Sequence, residues 1–144
     1  MMEIREILCA KDTKNSYSLF LQMEVQAGES EALFAELPLY LEMLSSPSSY
    51  IRVRGFRMIC ASAKWDSEGK IAENLPAILA GLEDEKPTAV RQCLAALPRL
   101  LSARPELTGP IRDKVSSLDL SGHKDTMQPL IRRDIEKLLH ELQG

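Results

Sequence analysis

One amphipathic pattern recurs along this chain of 144 residues and constrains its fold more than any other feature. Its clearest copy spans residues 74–101, where an apolar stripe at helical spacing leads to the acidic turn 83–86 and a second stripe begins at Pro87. Proline lacks the amide hydrogen that a helix interior uses, so Pro87 suits the first turn of a helix. The segment therefore predicts two antiparallel helices joined by a short turn.

The same order of residues returns on both sides of this helix pair. Val90-Arg91 is matched by Val53-Arg54 about 37 residues earlier and by Ile131-Arg132 about 41 residues later. Repeats of this length are typical of stacked helix pairs, in which no single unit buries its own apolar face. The sequence thus predicts an all-α fold, an α-solenoid of about four antiparallel helix pairs in a single domain. The predicted units are residues 1–27 (a degenerate cap), 29–65, 66–102 and 104–144.

This order resembles a known repeat. Leu75-Pro76, an apolar helix, Asp84 and then Val90-Arg91 together resemble the HEAT repeat of the armadillo-like family. Segments beginning at residues 63 (AKWDSEGKI), 84 (DEKPTAVRQCLAAL) and 124 (KDTMQPLIRRDI) are similar to short, functionally uncharacterised HEAT-like proteins of anaerobic bacteria, some of which bear a SufBD label. The resemblance implies a superhelix with the first helix of each unit on the convex side and the second (inner) helix on the concave side. The unit 29–65 departs from the pattern, because Ser46-Pro47 stands where Asp is usual.

Composition narrows the classes of function. The net charge is −3, so the chain lacks a globally attractive field for nucleic acid or anionic membranes. Three cysteines without a Cys-x-x-Cys motif argue against a disulfide framework and a zinc site, and we expect a cytoplasmic protein. No apolar run reaches the length of a membrane span, so no membrane partner is expected. The two histidines are not paired at ligand spacing, and we expect no catalytic residues, no metal and no cofactor.

The second helices carry a bias towards basic residues. Arg52, Arg54 and Arg57 occur without an acid in residues 49–65, and Arg91 and Arg99 occur without one in residues 86–102. One interpretation is an anion-binding groove for a nucleic-acid backbone or an acidic protein segment.

An alternative assigns two of the arginines a scaffolding role. Arg91 and Arg132 each follow an aspartate, Asp84 or Asp125, by seven residues, and this spacing suggests a ladder of Asp–Arg pairs that locks successive units together. We favour the ladder for these two arginines and expect Arg52, Arg57 and Arg99 to be freer.

A further face of the second helices attracts attention because it carries large apolar residues. Arg54, Met58 and Trp65 fall on one side of the helix 49–65 if Val53 and Phe56 face the core. Exposed Met58 and Trp65 would form a groove for a partner's helix or extended segment. The simpler interpretation, which we favour for Trp65, is that it packs over the turn of the next unit.

These observations favour a non-enzymatic protein–protein interaction scaffold or adaptor that uses the face of its second helices and binds another protein. Nucleic-acid binding on the basic helices is the alternative, and the sequence leaves the oligomeric state open. The expected binding residues are Arg52, Arg54, Arg57, Met58, Trp65, Arg91, Arg99 and Arg132.

Overall fold

A computed structural model describes residues 3–143, and every regular element in that range is helical. The α-helices are α1 (Ile4–Leu8), α2 (Lys14–Glu29), α3 (Leu37–Met43), α4 (Ser49–Ser62), α5 (Lys70–Glu73), α6 (Leu75–Leu79), α7 (Pro87–Ala103), α8 (Thr108–Ser116) and α9 (Gln128–Gln143). Four short 3-10 segments lie between them: Glu31–Glu36, Ala63–Trp65, Ala80–Glu83 and Pro105–Leu107. The prediction of an all-α fold is confirmed.

The second helices of the predicted units form as single long elements, α2, α4, α7 and α9. Each carries apolar residues at spacings of three and four, which places them on one side of a helix. In α7, the predicted stripe residues Val90, Cys93, Leu94, Leu97 and Leu101 are all buried. Apolar spacing alone was therefore enough to locate these helices.

The first helices of the units are broken where the sequence predicts continuous helices over 31–44, 67–82 and 105–118. Glu31–Glu36 is a 3-10 segment, and α-helical geometry begins only at Leu37, directly before Pro38. The same Leu-Pro pair begins α6 at Leu75. Proline offers no amide for a bond to an earlier turn, so these helices restart there.

Asp66 receives backbone amides at the start of the third unit, although α5 begins later than predicted. Its carboxylate accepts hydrogen bonds from the amides of Lys70 and Ile71, both at 2.9 Å. Gly69, with a φ of 73°, turns the chain immediately before the helix, a left-handed conformation that favours glycine. Residues 66–69 are thus a capping turn, and the helix begins at Lys70.

The second helices pack against one another in chain order. α2 lies against α4, α4 against α7, and α7 against α9, while α1, α3 and α8 pack on α2, α4 and α9 respectively. One continuous apolar cluster extends from Leu8 to Leu138. Because the four second helices are consecutive neighbours, the side chains that they expose lie side by side.

α3 and α4 approach each other closely at Gly55. A Cβ atom at this position would lie 2.8 Å from the carbonyl oxygen of Tyr40 and 2.9 Å from Cβ of Met43. Tyr40 is itself fixed, because its hydroxyl donates a 2.6 Å hydrogen bond to the carbonyl of Leu33. Glycine allows α4 to pack directly on the backbone of α3.

Between residues 3 and 143, no helix combines the length and the apolar character that crossing a bilayer requires.

Candidate interaction surface

Arg54 lies inside the protein, with only 2% of its surface exposed. Its guanidinium donates hydrogen bonds to the carbonyl of Leu8 and to Oγ of Ser16, both at 3.0 Å, and it pairs with Asp12 at 3.4 Å. Burial lowers the pKa of this guanidinium, and the charge of Asp12 opposes the effect only in part. The expectation that Arg54 faces a partner is wrong, because the side chain joins α4 to α1 and α2.

Arg57 is also engaged, contrary to the expectation that it is free. Its guanidinium binds both carboxylate oxygens of Glu24, at 2.7 and 2.8 Å, and donates to the hydroxyl of Tyr17 and the amide oxygen of Gln92, both at 3.3 Å. Burial lowers the pKa of Arg57, but the hydrogen bonds to Glu24 and Tyr17 outweigh it and raise the pKa. These four residues, the Arg57 cluster, connect α2, α4 and α7.

Arg52 takes the aspartate that the sequence assigns to Arg91. It binds both carboxylate oxygens of Asp84, at 2.8 and 3.1 Å, and the carbonyl of Ser46 at 2.9 Å. Burial would raise the pKa of Asp84, yet the hydrogen bonds from Arg52 and from the Lys86 amide, with the Arg52 charge, lower it. Asp84 therefore does form an ion pair with an arginine of another predicted unit, but that arginine is Arg52 and not Arg91.

Arg91 binds Asp134 on α9, at 2.7 and 3.4 Å. The predicted Asp84–Arg91 pair is therefore wrong, because Arg91 faces α9 whereas Asp84 faces α4. Arg132 is exposed and forms no ion pair with another residue in the range 3–143, so the predicted pair with Asp125 is absent there. A spacing of seven residues does not by itself specify the side of a helix pair on which two charges meet.

Trp65 and Arg99 both lie at the carboxyl end of α2. The indole of Trp65 donates a 3.0 Å hydrogen bond to the carbonyl of Ala27, so Trp65 contacts the preceding unit. The guanidinium of Arg99 lies over Gly28, so a side chain at position 28 would require this exposed group to move aside. A cation at a helix carboxyl terminus is favourable, because the helix dipole is negative there. Arg99 forms no ion pair with a residue in the described part of the chain.

Met58 is fully buried, which corrects the expectation that it lines a groove. α4 packs against α2, α3 and α7, so little of its circumference reaches solvent. The face of α4 that carries Arg54, Met58 and Ala61 is consequently inside the molecule.

Exposed apolar residues occur instead on α2. Tyr17, Leu21 and Val25 are 41%, 36% and 56% exposed, and their spacing of four residues places them in one row. None of these three residues was among the predicted binding residues, although apolar residues recur at intervals of four in this part of the sequence. Large exposed apolar side chains in a contiguous row are typical of interaction sites.

A groove of about 500 Å³ lies between α7 and α9. Buried Leu94 and Leu138 belong to its lining, together with exposed Ala95 and Pro98. Its other lining residues are polar: Thr88, Arg91, Gln92, Asp134, Lys137 and Glu141. Since Gln92 also belongs to the Arg57 cluster, the groove adjoins that cluster.

We define the second-helix surface as the α2 row (Tyr17, Leu21 and Val25), the Arg57 cluster and the groove between α7 and α9. The hydrogen bonds of Arg57 to Tyr17 and Gln92 join these parts across three helices. Apolar area therefore lies on both sides of a polar centre. Protein interfaces combine apolar area with hydrogen-bonding groups, and this surface offers both.

Chemical reactivity at the buried cysteines is low. Burial raises the pKa of the Cys93 thiol to about 12 and raises that of the Cys60 thiol well above its usual range. Both thiols are protonated at neutral pH, and the thiol form is a poor nucleophile. Within residues 3–143, no three His, Cys, Asp or Glu side chains are grouped in a way that could hold a metal ion.

Comparison with protein-family models, with curated proteins and with solved structures finds no match to this chain.

Proposed function

We propose that this chain is a protein-interaction module, a HEAT-like α-solenoid without enzymatic activity that binds another protein through the second-helix surface. The observation that carries the proposal is the combination of an exposed apolar row on α2 with an apolar groove between α7 and α9. Both lie on the second helices, and the Arg57 cluster links them.

The order of helix packing supports the solenoid. Each second helix contacts the second helix of the next predicted unit, and first helices pack on their own partners. A row of this kind presents equivalent helix faces side by side, which is how helical repeat proteins build extended binding surfaces. An amphipathic helix of the partner is the proposed occupant, because its apolar face matches a groove between two helices.

Binding of a nucleic-acid backbone is the competing function, and the charges support it less well. The guanidinium groups of Arg52, Arg57 and Arg91 are paired with carboxylates, so they contribute little net positive potential. Fluorescence titration with duplex and single-stranded DNA at two salt concentrations tests this alternative. Binding with a steep salt dependence would favour it over the protein-interaction function, because release of counterions drives backbone binding.

Affinity capture with matched variants tests the proposed function. Leu21→Asp and Val25→Asp place a charge in the α2 row, whereas Gln22→Asp and Gln26→Asp place the same charge at other exposed positions of α2. We expect the wild type and the two glutamine variants to retain the same stoichiometric protein, and the two apolar-row variants to lose it. That protein is then purified and its binding measured directly by calorimetry.

Equal capture by all five proteins would contradict the proposed surface. Circular dichroism of each variant verifies that its helices are intact, since all four substituted residues are exposed.

A further inference from the structure

The exposed side of α2 carries no charge over the middle of the helix. Its residues between positions 15 and 26 are apolar or bear a hydroxyl or an amide: Asn15, Tyr17, Ser18, Leu21, Gln22, Val25 and Gln26. The one acid in this stretch, Glu24, is partly buried and bound to Arg57. Depletion of charged residues distinguishes the core of a protein interface from the rest of a protein surface. The exposed side of α2 therefore has the composition of a contact with another molecule.

α9 shows that an exposed helix side in this protein is not uncharged as a rule. Like α2, it packs against one other second helix. Its exposed side is mostly charged, and its exposed residues are Pro129, Arg132, Arg133, Glu136, Lys137, His140, Glu141 and Gln143. The uncharged side is thus a property of α2 itself.

One charge of each sign flanks the uncharged stretch. One side of α2 carries, at intervals of four, three, four and four residues, Lys14, Ser18, Leu21, Val25 and Glu29. Lys14 and Glu29 are both exposed, and neither forms an ion pair with another residue in the range 3–143. They lie seven residues before and eight residues after Leu21, which is about 10–12 Å along the helix axis in either direction. The two charges are therefore placed almost symmetrically about Leu21.

Arg99 adds a second cation at the carboxyl end of α2, but on a different side of the helix. A Cβ atom at Gly28 would meet the Arg99 guanidinium and would lie 3.8 Å from the carbonyl oxygen of Ala61. That side of α2 consequently faces α4 and α7. Glu29 is about 100° further around the helix, on the side that carries Leu21 and Val25.

We propose that a second copy of this chain packs on the exposed side of α2, with the two α2 helices antiparallel and a twofold axis at Leu21. Leu21 then meets Leu21 of the second copy, and Tyr17 meets Val25. Lys14 of each copy lies opposite Glu29 of the other. A parallel pair would instead bring Lys14 against Lys14 and Glu29 against Glu29, so the charges select the antiparallel arrangement. An unrelated protein would need this order of charges by coincidence, whereas a second copy supplies it by symmetry.

The pair should be weak, because one helix from each copy buries less surface than a permanent dimer does. The self-association goes beyond the proposed function and does not depend on it. It has a consequence for that function, since the α2 row belongs to the second-helix surface. The partner protein would compete there with the second copy.

Sedimentation equilibrium of the purified chain, at concentrations from about 5 to 500 μM, tests the pair. We expect a reversible equilibrium between monomer and dimer. Leu21→Asp should weaken the dimer about tenfold or more, because it places two carboxylates against each other at the twofold axis. Gln26→Asp puts the same charge at an exposed position about 140° away around α2, and it should change the dissociation constant less than about twofold.

Exchange of the flanking charges tests the antiparallel arrangement. Lys14→Glu and Glu29→Lys should each weaken the dimer about fivefold, because each turns two attractive contacts into repulsive ones. The double variant Lys14→Glu/Glu29→Lys should regain the wild-type dissociation constant, since it makes the same contacts with the signs exchanged. An equal mixture of the two single variants should form heterodimers for the same reason.

Three results would each overturn the pair: a protein that stays monomeric over the whole concentration range, a dimer that Leu21→Asp leaves intact, or a double variant no better than the single ones. Circular dichroism verifies that each variant keeps its helices, since all the substituted residues are exposed. A monomeric protein would leave the capture experiment open, because that experiment seeks a protein other than this chain. Failure to capture such a protein would, in turn, leave the dimer unaffected.

Discussion

Arginine side chains connect successive helix pairs at three junctions. Arg54 and Arg57 bind groups on α1, α2 and the turn between them, Arg52 binds Asp84 in the following unit, and Arg91 binds Asp134 on α9. A guanidinium is well suited to this role because it satisfies several acceptors in one plane and stays charged. Four arginines of the second helices, Arg52, Arg54, Arg57 and Arg91, thus contribute to cohesion between neighbouring helices.

Arg54→Ala should be among the most destabilising substitutions in the chain. It leaves the Leu8 carbonyl and the Ser16 hydroxyl without their donor and opens a cavity beside Phe20, over whose ring the guanidinium lies at 5.4 Å. We expect a loss of about 3–5 kcal/mol in the free energy of unfolding, measured by urea denaturation. Arg132→Ala, at an exposed position, should change it by less than about 0.5 kcal/mol. Similar losses in both variants would contradict the assignment.

The Arg52–Asp84 pair should make stability depend on pH in acid. The pKa of Asp84 is lower in the folded protein than in the unfolded chain, so its contribution is complete above the unfolded value of about 3.9 and is lost as pH falls through the folded value. We expect Asp84→Asn to lower the free energy of unfolding by about 1.5–3 kcal/mol at pH 7.

The difference between wild type and Asp84→Asn should shrink as the pH falls below about 4, measured by denaturation at a series of pH values. Glu85→Gln, at the exposed neighbouring position, provides the matched control. A difference that is independent of pH would show that the Asp84 charge does not contribute to stability.

At the scale of helices, the sequence predicted best those helices that carry one continuous stripe of apolar residues. The apolar stripes predicted the ends of α4 and α7 to within a few residues. A helix that packs on its neighbours must repeat apolar residues at intervals of three and four positions. The first helices were predicted as continuous, but α3 and α6 begin only at the residue before Pro38 and Pro76. The effect of a proline on a helix depends on the local backbone geometry, which the spacing of apolar residues does not reveal.

The candidate surface was predicted less well, because the number of helices that pack around α4 was not known from the sequence. Met58 and Arg54 share a face of α4 that would be exposed if α4 had neighbours on one side only. The helix is enclosed by α2, α3 and α7, and the number of neighbours of a helix is not encoded in its own periodicity. The exposed row of α2 could have been predicted from the sequence, because its apolar residues recur at intervals of four. The groove between α7 and α9 could not, because it forms only when two segments that are distant in the sequence pack together.

The crossing of α3 and α4 gives a prediction at the same scale. Gly55→Ala would place a Cβ 2.8 Å from the Tyr40 carbonyl, and a backbone atom cannot move aside as a side chain does. We expect a loss of about 1–3 kcal/mol in the free energy of unfolding, measured by thermal and urea denaturation. Gly109→Ala, at a position in α8 with nothing within 4 Å of the added Cβ, should stabilise the protein by about 0.4–1 kcal/mol. The crossing would be looser than described if both substitutions were stabilising.

At the scale of the whole molecule, helices in the middle of the row should be the most resistant to opening. α4 and α7 have second helices on both sides, whereas α1 and α9 lie at the ends. Opening of a terminal unit breaks one interface, and opening of a central unit breaks two. We expect backbone amides of α4 and α7 to exchange most slowly with deuterium, and those of α1 and the last turn of α9 most rapidly, measured by mass spectrometry. Uniform protection along the chain would indicate one cooperative block and count against the proposed solenoid.

The Arg57 cluster has a consequence for the proposed binding of a partner protein. One cation ties three adjacent helices at fixed points, so the spacing between α2, α4 and α7 is already set before any encounter. In the complex that we propose, adaptation would then fall on the partner, and most of the entropy lost on association would be the partner's own.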